Sequence, residues 1–270
     1  MPPAEIEASA VARVQASWAP LGAFLAHDLL LVPASRRAAV RREWEEISEA
    51  ERNLDDRLTV GIVGGTGVGK STLINALAGA EISRSGDRRP TTDRVIAYRH
   101  RSTRLPETLP LEHRSEPDVV HSTAALERVI VLDFPDFDSV EELHHEILSL
   151  YFPYLDVLIV LVDDVKYADA RLFDLLRCLP QSHENLHAVL NKVDRLERRY
   201  PGRSRAVANE ILDDLVLKLE AHAGVRVRRD RLLAISARNA FLERSRGEKA
   251  EAGDFPALVA FLEGYRQEKR

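Results

Sequence analysis

The sequence has little of several features that mark other classes of protein. It contains one cysteine, Cys178, which excludes an internal disulfide framework and a cysteine-based zinc site. It has no apolar run of about 18 residues, the length that a membrane-spanning helix needs. Its 38 Lys and Arg residues are outnumbered by 43 Asp and Glu residues, so no global basic excess favours nucleic acid. We therefore expect a cytoplasmic protein in a reducing compartment.

The remaining composition is ordinary for a globular protein. The chain has 270 residues, of which 45% are hydrophobic and 30% are charged. That length is sufficient to bury a core and is typical of one large domain, or of one domain with an appendage. The acidic start of the chain does not resemble a signal peptide.

Residues 1–56 are predicted to form an N-terminal helical extension. Apolar residues recur at helical spacing between residues 40 and 54, and a short apolar run covers residues 21–32. One interpretation is a helix packed on the main domain. The other is a helix that binds a membrane surface or a partner protein, and both remain open.

From residue 58 onward, short β-rich runs alternate with helical patterns. This alternation is typical of a mainly parallel, doubly wound sheet, so we predict an α/β three-layer sandwich over residues 57–270. Residues 101–127 fit neither period and are predicted to be an insertion. Residues 243–254 are predicted to be a solvated loop. The predicted strands are 58–63, 94–98, 129–132, 157–162, 186–190 and 232–235.

A glycine-rich loop between a predicted strand and a predicted helix is the strongest signal. The run from Gly64 to Ser71 matches G-x-x-x-x-G-K-[ST], which indicates a P-loop. Glycines let the backbone curl around phosphate oxygens, and the following helix adds its positive N-terminal end. Lys70 can reach the β- and γ-phosphates, and Ser71 offers a hydroxyl to Mg²⁺. The predicted phosphate-binding residues are Gly64, Gly65, Thr66, Gly67, Val68, Gly69, Lys70, Ser71 and Thr72.

The run Asn191-Lys192-Val193-Asp194 directly follows a predicted strand. A carboxylate at Asp194 can accept two parallel hydrogen bonds from guanine, whereas adenine would leave it unpaired at a cost. We expect Asn191 to brace the neighbouring loops and the stem of Lys192 to cover the base. The predicted ligands are therefore GTP or GDP with Mg²⁺. An ATP-using P-loop enzyme is the more distant alternative.

The two motifs together resemble the TRAFAC class of P-loop GTPases, in particular bacterial Era-like and dynamin-like G domains, over about residues 57–240. The resemblance implies that Thr92 closes over Mg²⁺ and the γ-phosphate, with Lys70 and Thr92 as the catalytic residues. It also implies that Ser71, Thr92 and Asp133 hold Mg²⁺. The residues that it assigns to the guanine base are Asn191, Lys192, Asp194, Ser236, Ala237 and Arg238.

Three positions depart from the pattern of these GTPases. Asp136 stands where the family has the glycine whose N–H meets the γ-phosphate, so a carboxylate is expected near phosphate. Phe137 occupies the position of the glutamine that orients water in Ras, and its ring cannot do so. Gly67 replaces the polar residue that holds a monovalent cation in some relatives, so we predict no strong potassium activation from that source. Catalysis must then use another side chain, a second subunit, a partner or an ion.

Other polar residues receive less specific interpretations. Asp163 and Asp164 end a predicted strand and are interpreted as solvated residues rather than as pocket residues. His144 and His145 are interpreted as surface histidines, and Cys178 as a core thiol.

We predict a Mg²⁺-dependent protein that slowly hydrolyses GTP to GDP and phosphate and acts as a switch on a partner. The alternatives are a dynamin-like GTPase that dimerises at a membrane surface and a non-hydrolysing GTP-binding module. The expected partners are guanine nucleotide and either another protein or a nucleotide-dependent second copy, with peripheral contact at the inner membrane left open. We expect no long stalk, because the chain ends about 30 residues after its fifth motif.

Overall fold

A computed structural model of the protein describes residues 57–83, 94–106, 109–110, 112–115, 117–137, 141–177, 179 and 185–269. Residues Arg57–Arg266 form one compact unit. The predicted N-terminal extension, Thr92, Cys178 and the side chain of His144 lie outside the described residues. Across these described ranges, no helix is both long enough and apolar enough to cross a bilayer.

One sheet of seven strands organises the described part of the chain, in the order β3-β2-β4-β1-β5-β6-β7. Neighbouring strands run parallel except for β2 and β4, which are antiparallel. This arrangement confirms the predicted mainly parallel sheet. The strands are β1 (Leu58–Gly64), β2 (Ile96–His100), β3 (Val119–His121), β4 (Val129–Asp133), β5 (Val157–Val162), β6 (Leu186–Leu190) and β7 (Leu232–Ala234).

Helices pack on both faces of this sheet. One apolar cluster joins α2, α3 and α5 to one face, and a second joins α1, α6 and α7 to the other. The structure therefore confirms a three-layer α/β sandwich. The helices are α1 (Lys70–Ala78), α2 (Glu141–Tyr151), α3 (Ala170–Leu176), α4 (Val193–Arg199), α5 (Ser204–Lys218), α6 (Ala237–Ser245) and α7 (Phe255–Glu268).

Strand β5 shows why the central runs of the sequence are continuously apolar. Successive side chains of a strand point to opposite faces, and here both faces are covered by helices. All six residues of β5 are buried. Val157, Ile159 and Leu161 join one apolar cluster, whereas Leu158, Val160 and Val162 join the other. Burying a side chain of this size stabilises the fold by about 1.5–3 kcal/mol, which explains why no polar residue interrupts the strand.

The structure corrects two predictions at one edge of the sheet. Strand β2 covers Ile96–His100 rather than 94–98, and Val95 instead forms an isolated bridge with Arg114. The predicted insertion contains a strand, β3, which pairs with β2. Three residues are too few to establish a period in the sequence, so β3 could not be recognised.

Residues 243–254 are less solvated than predicted. Helix α6 continues into this segment as far as Ser245, and Ala250 and Ala252 are buried. The Ala234 N–H donates to the Asp254 carboxylate at 2.9 Å, and the Asp254 N–H donates to the Ala234 carbonyl at 2.8 Å. The segment is thus attached to β7, although its charged composition suggested a free loop.

Candidate functional site

The candidate site lies where five parallel strands end. The glycine-rich loop follows β1, and Asp133 is the last residue of β4. Asp163, Asn191 and Ser236 follow closely after β5, β6 and β7. In open α/β sheets the carboxyl ends of parallel strands meet at one edge, which is where ligands bind.

Several positions of the loop require glycine, because of their backbone conformation or because a side chain would clash with neighbouring atoms. Gly67 and Gly69 have positive φ values of 75° and 102°, which favour glycine. A Cβ atom at Gly69 would lie 2.5 Å from Asn191 Nδ2, and one at Gly64 would lie 2.7 Å from the Leu161 carbonyl oxygen. The loop therefore packs closely on its neighbours, and its positive φ values suit the backbone cradle that a bound phosphate requires.

Lys70 begins helix α1 beside this cradle and is only 7% exposed. Its Nζ donates to the Gly64 carbonyl at 3.0 Å. It also donates to the Asp136 carboxylate, with which it forms an ion pair. The ammonium is thus fixed at the start of the loop, and Asp136 is brought to the lysine that the motif assigns to phosphate.

Asn191 joins the glycine-rich loop to the loop after β7. Its Nδ2 donates to the Val68 carbonyl at 2.9 Å, and its Oδ1 accepts from the Ala237 N–H at 2.9 Å. The side chain is buried, so these bonds act in a low-dielectric environment. Asn191 therefore braces the two loops, and one backbone N–H of the segment that the resemblance assigned to guanine, that of Ala237, donates to this brace.

The Asp194 carboxylate lies beside the loop after β7. Its Oδ1 accepts from the Ser236 hydroxyl at 2.7 Å. Its Oδ2 pairs with Arg198 at 3.1 Å, but Arg198 is 68% exposed, and exposed pairs contribute little free energy. Ser236 is 1% exposed and also accepts from the Asn239 N–H, whereas Arg238 is exposed in the first turn of α6.

The buried Asp163 and the half-buried Lys192 form an ion pair that the sequence interpretation missed. The Lys192 Nζ donates to Asp163 Oδ2 and to the Gly67 carbonyl, each at 2.6 Å. Asp163 is 5% exposed, so its interpretation as a solvated strand-end residue is wrong. Burial alone would raise the pKa of Asp163, but bonds from Lys192, Lys166 and Val165 hold that pKa below its usual value. Its position at the carboxyl end of a buried parallel strand was the available signal.

A second lysine also contacts the glycine-rich loop. The Lys166 Nζ donates to the Thr66 carbonyl at 2.8 Å. Together with Lys192, it adds positive charge at the apex of the loop. The sequence did not predict this contact of Lys166, because the contact joins residues that are a hundred positions apart in the chain.

The segment after β4 places a carboxylate at the site and directs two rings into the core. Asp133 is 3% exposed, and Phe134 and Phe137 are 4% and 2% exposed. Both rings belong to the apolar cluster on the α2 face. The Phe137 ring is therefore packed away from solvent, and it provides no group that could orient a water molecule.

Comparison with known proteins gives a family for this part of the chain. Residues 59–192, just under half of the chain, match the family model described as 50S ribosome-binding GTPase (MMR_HSR1). The chain matches no curated protein.

Several solved structures have a similar fold. One is described by the statement that dimerization is important for the GTPase activity of the chloroplast translocon components atToc33 and psToc159. Its TM-score is 0.54 and its sequence identity is 17%, and the match covers 86% of this chain and 92% of that one. Another is from an oligomerised bacterial dynamin pair, with a TM-score of 0.53 and 14% identity over 83% of this chain and 42% of that one. A third is Era in complex with MgGDPNP and nucleotides of 16S ribosomal RNA, with a TM-score of 0.49 and 20% identity over 77% of this chain and 56% of that one.

The chain therefore spans about half the length of the Era and bacterial dynamin chains. At these identities the two structures with TM-scores of 0.54 and 0.53 show the fold alone, and the family model adds the class of protein. The P-loop, the sheet order and the family match together support a TRAFAC-class P-loop GTPase domain over residues 59–192.

Proposed function

We propose that the protein binds GTP with Mg²⁺, hydrolyses GTP to GDP and phosphate, and acts as a nucleotide-controlled switch. The hydrogen bonds of Asn191 are the main support for this proposal. They join the glycine-rich loop, which would bind the phosphates, to the loop after β7, which would contact the base. A ligand that spans both parts must carry phosphates at one end and a recognisable base at the other. A guanine nucleotide has that form.

The phosphate end of the site would use the glycine-rich backbone and Lys70. The positive φ values of Gly67 and Gly69 give the loop the kind of backbone that can curl around a polyphosphate chain. Ser71 and the buried Asp133 provide the oxygen atoms that Mg²⁺ prefers, and the resemblance adds Thr92. When bound, Mg²⁺ neutralises negative charge on the transferring phosphoryl group. Lys70 would supply positive charge at the same group.

The base end would be read by Asp194. Its Oδ1 is held by Ser236, and a carboxylate has further lone pairs that can accept from guanine N1–H and the exocyclic amine. Adenine offers no matching pair of donors, so it would leave the carboxylate unsatisfied. Lys192, held between Gly67 and Asp163, would keep this loop against the phosphate cradle.

Phosphate release tests the proposed hydrolysis directly. Lys70→Ala is expected to reduce GTP turnover to the protein-free rate, because it removes the cation that stabilises the transferred group. Lys218→Ala is the matched control, since Lys218 lies at the end of α5 and pairs with Asp214. Undiminished turnover in Lys70→Ala would refute the proposed role of this lysine. If the unaltered protein binds GTP tightly without releasing phosphate, the non-hydrolysing alternative is correct.

A second candidate is a GTPase that is completed by another copy of the chain. The buried Phe137 favours it, because the usual water-orienting position holds a core residue. The atToc33 and psToc159 structure is described in terms of dimerization that matters for activity. Turnover per molecule would then rise with protein concentration. A rate per molecule that is constant over a hundredfold dilution would exclude activation by self-association in that range.

Membrane contact would depend on the apolar run at residues 21–32, which lies outside the described residues. Co-sedimentation of the full chain with anionic lipid vesicles tests this possibility. Leu25→Glu would reduce binding if the run inserts into the interface, because it places a charge among apolar residues. Equal amounts of pelleted protein with and without vesicles would exclude the membrane alternative.

A further inference from the structure

The carboxylate of Asp136 forms an ion pair with the lysine of the P-loop. Lys70 is 7% exposed at the pair, and the Asp136 side chain is 31% exposed. The motif assigns Lys70 to the β- and γ-phosphates. The negative group that contacts Lys70 in the structure therefore belongs to the protein itself.

Asp136 is held in place by buried rings on either side. Phe134 and Phe137 are both part of the core on the α2 face. The Phe134 N–H donates to the Ile62 carbonyl at 3.1 Å, and the Phe134 ring packs edge-on against Tyr151 with centroids 5.9 Å apart. The two buried rings anchor the segment that carries Asp136, so the position of this residue near Lys70 follows from the packing of the core.

The ammonium of Lys70 has three N–H donors. In the described contacts, one is directed to the Gly64 carbonyl and one to Asp136. One donor is left for a β-phosphate, but a γ-phosphate oxygen would have to share the donor that Asp136 uses. Two negative groups that approach the same buried cation repel each other, so either Asp136 or the γ-phosphate is disfavoured.

We propose that Asp136 determines the preference between diphosphate and triphosphate. Its carboxylate takes the place at Lys70 that the third phosphate needs, so the protein binds GDP more tightly than GTP until Asp136 leaves the lysine. This inference rests on the proposed guanine-nucleotide function. It makes Asp136 a specificity-determining residue that favours the GDP-bound state.

The test compares affinities for GDP and for the slowly hydrolysed analogue GTPγS, measured by titration calorimetry with Mg²⁺ present. Asp136→Asn removes the charge with little change in size, and it is expected to shift the ratio of the two affinities about tenfold towards GTPγS. Asp136→Glu keeps the charge and should keep the ratio of the unaltered protein. Asp230→Asn, which removes an exposed carboxylate that pairs with Arg228, is the matched control.

The ratio within one variant does not change when a fraction of the protein is unfolded, so it separates specificity from stability. If Asp136→Asn binds both nucleotides with the ratio of the unaltered protein, the inference is wrong while the proposed function stands. If Asp136→Glu shifts the ratio as far as Asp136→Asn does, the charge is not responsible, and the inference is also wrong. If none of the proteins binds either nucleotide, the proposed function fails and the inference fails with it.

Discussion

At the residue scale, three aspartates of the candidate site have different neighbours and therefore differ in their ability to accept hydrogen bonds from a ligand. Asp136 contacts Lys70, and Asp163 contacts Lys192, so each has a cation as its main partner. Asp194 has the Ser236 hydroxyl on one oxygen and an exposed arginine on the other. A neutral hydroxyl does not cancel the charge of Asp194, which leaves this carboxylate able to bind the donors of a base.

Substitution of Asp194 tests the assignment of the base. Asp194→Asn replaces one acceptor by a donor, which matches xanthine better than guanine, so GTP affinity should fall about a hundredfold while xanthosine triphosphate gains affinity. Competition titrations with the two nucleotides measure this change. Asp230→Asn controls for the loss of a carboxylate elsewhere on the domain. An unchanged affinity for GTP would show that Asp194 does not read the base.

At the scale of secondary-structure elements, the site depends on close packing between loops that follow different strands. Gly69 caps α1 with a positive φ, and a Cβ added to it would lie 2.5 Å from Asn191 Nδ2. This contact fixes the start of α1 relative to the end of β6. The glycine-rich loop and the loop after β6 are therefore parts of one packed unit.

A methyl group at this point should separate the two loops. Gly69→Ala is expected to lower the free energy of unfolding by about 1–3 kcal/mol through backbone strain and the clash with Asn191. Gly202→Ala is the matched control, because its φ is also positive at 70° but its Cβ would meet nothing within 4 Å in the described structure. Denaturant unfolding measures both. Equal losses in the two variants would show that the contact with Asn191 does not matter.

Packing between β6 and α7 should make stability depend on pH. His187 is fully buried, and burial together with the charge of Arg231 lowers its pKa to about 4 from 6.5. The unfolded chain then binds more protons between about pH 4 and 6.5, so stability falls as the pH decreases through this window. His187→Gln should remove about 2 kcal/mol of the loss between about pH 7 and pH 5.

Chemical denaturation at the two pH values, with the exposed His222→Gln as control, measures the effect of His187. The difference between variants isolates one histidine from all other titrating groups. A pH dependence in His187→Gln that equals that of the unaltered protein would contradict the assigned role.

The parts of the structure that the sequence predicted are those with a strong local pattern. Strand β5 is continuously apolar because both of its faces are buried, and α1 begins at the lysine that ends the glycine-rich run. The three-residue strand β3 has no period to detect. The pairing of Asp163 with Lys192 was also missed, because a carboxylate at a strand end has the same local sequence whether it is solvated or paired. Only the packing of distant segments decides between the two.

At the scale of the whole described domain, the candidate site is formed by segments that are far apart in the chain. Residues 64–72, 133–136, 191–194 and 236–238 meet at one edge of the sheet. Each segment is a loop that a helix or strand anchors in the core. A ligand that bridges these loops would therefore stabilise the complete domain rather than one local element.

Thermal unfolding should reveal this coupling. GDP with Mg²⁺ at about one hundred times its dissociation constant is expected to add about 2.7 kcal/mol, which raises the melting temperature by several degrees. ADP at the same concentration should leave the melting temperature unchanged. An equal increase with ADP would indicate that the base is not recognised.

Titration calorimetry with GTP and with ATP, both in the presence of Mg²⁺, tests the central claim most directly. We expect saturable binding of GTP to one site per chain and no measurable binding of ATP, because Asp194 matches the donors of guanine alone. Equal affinity for the two nucleotides, or no heat from GTP, would contradict a guanine-nucleotide site formed by the P-loop and Asp194.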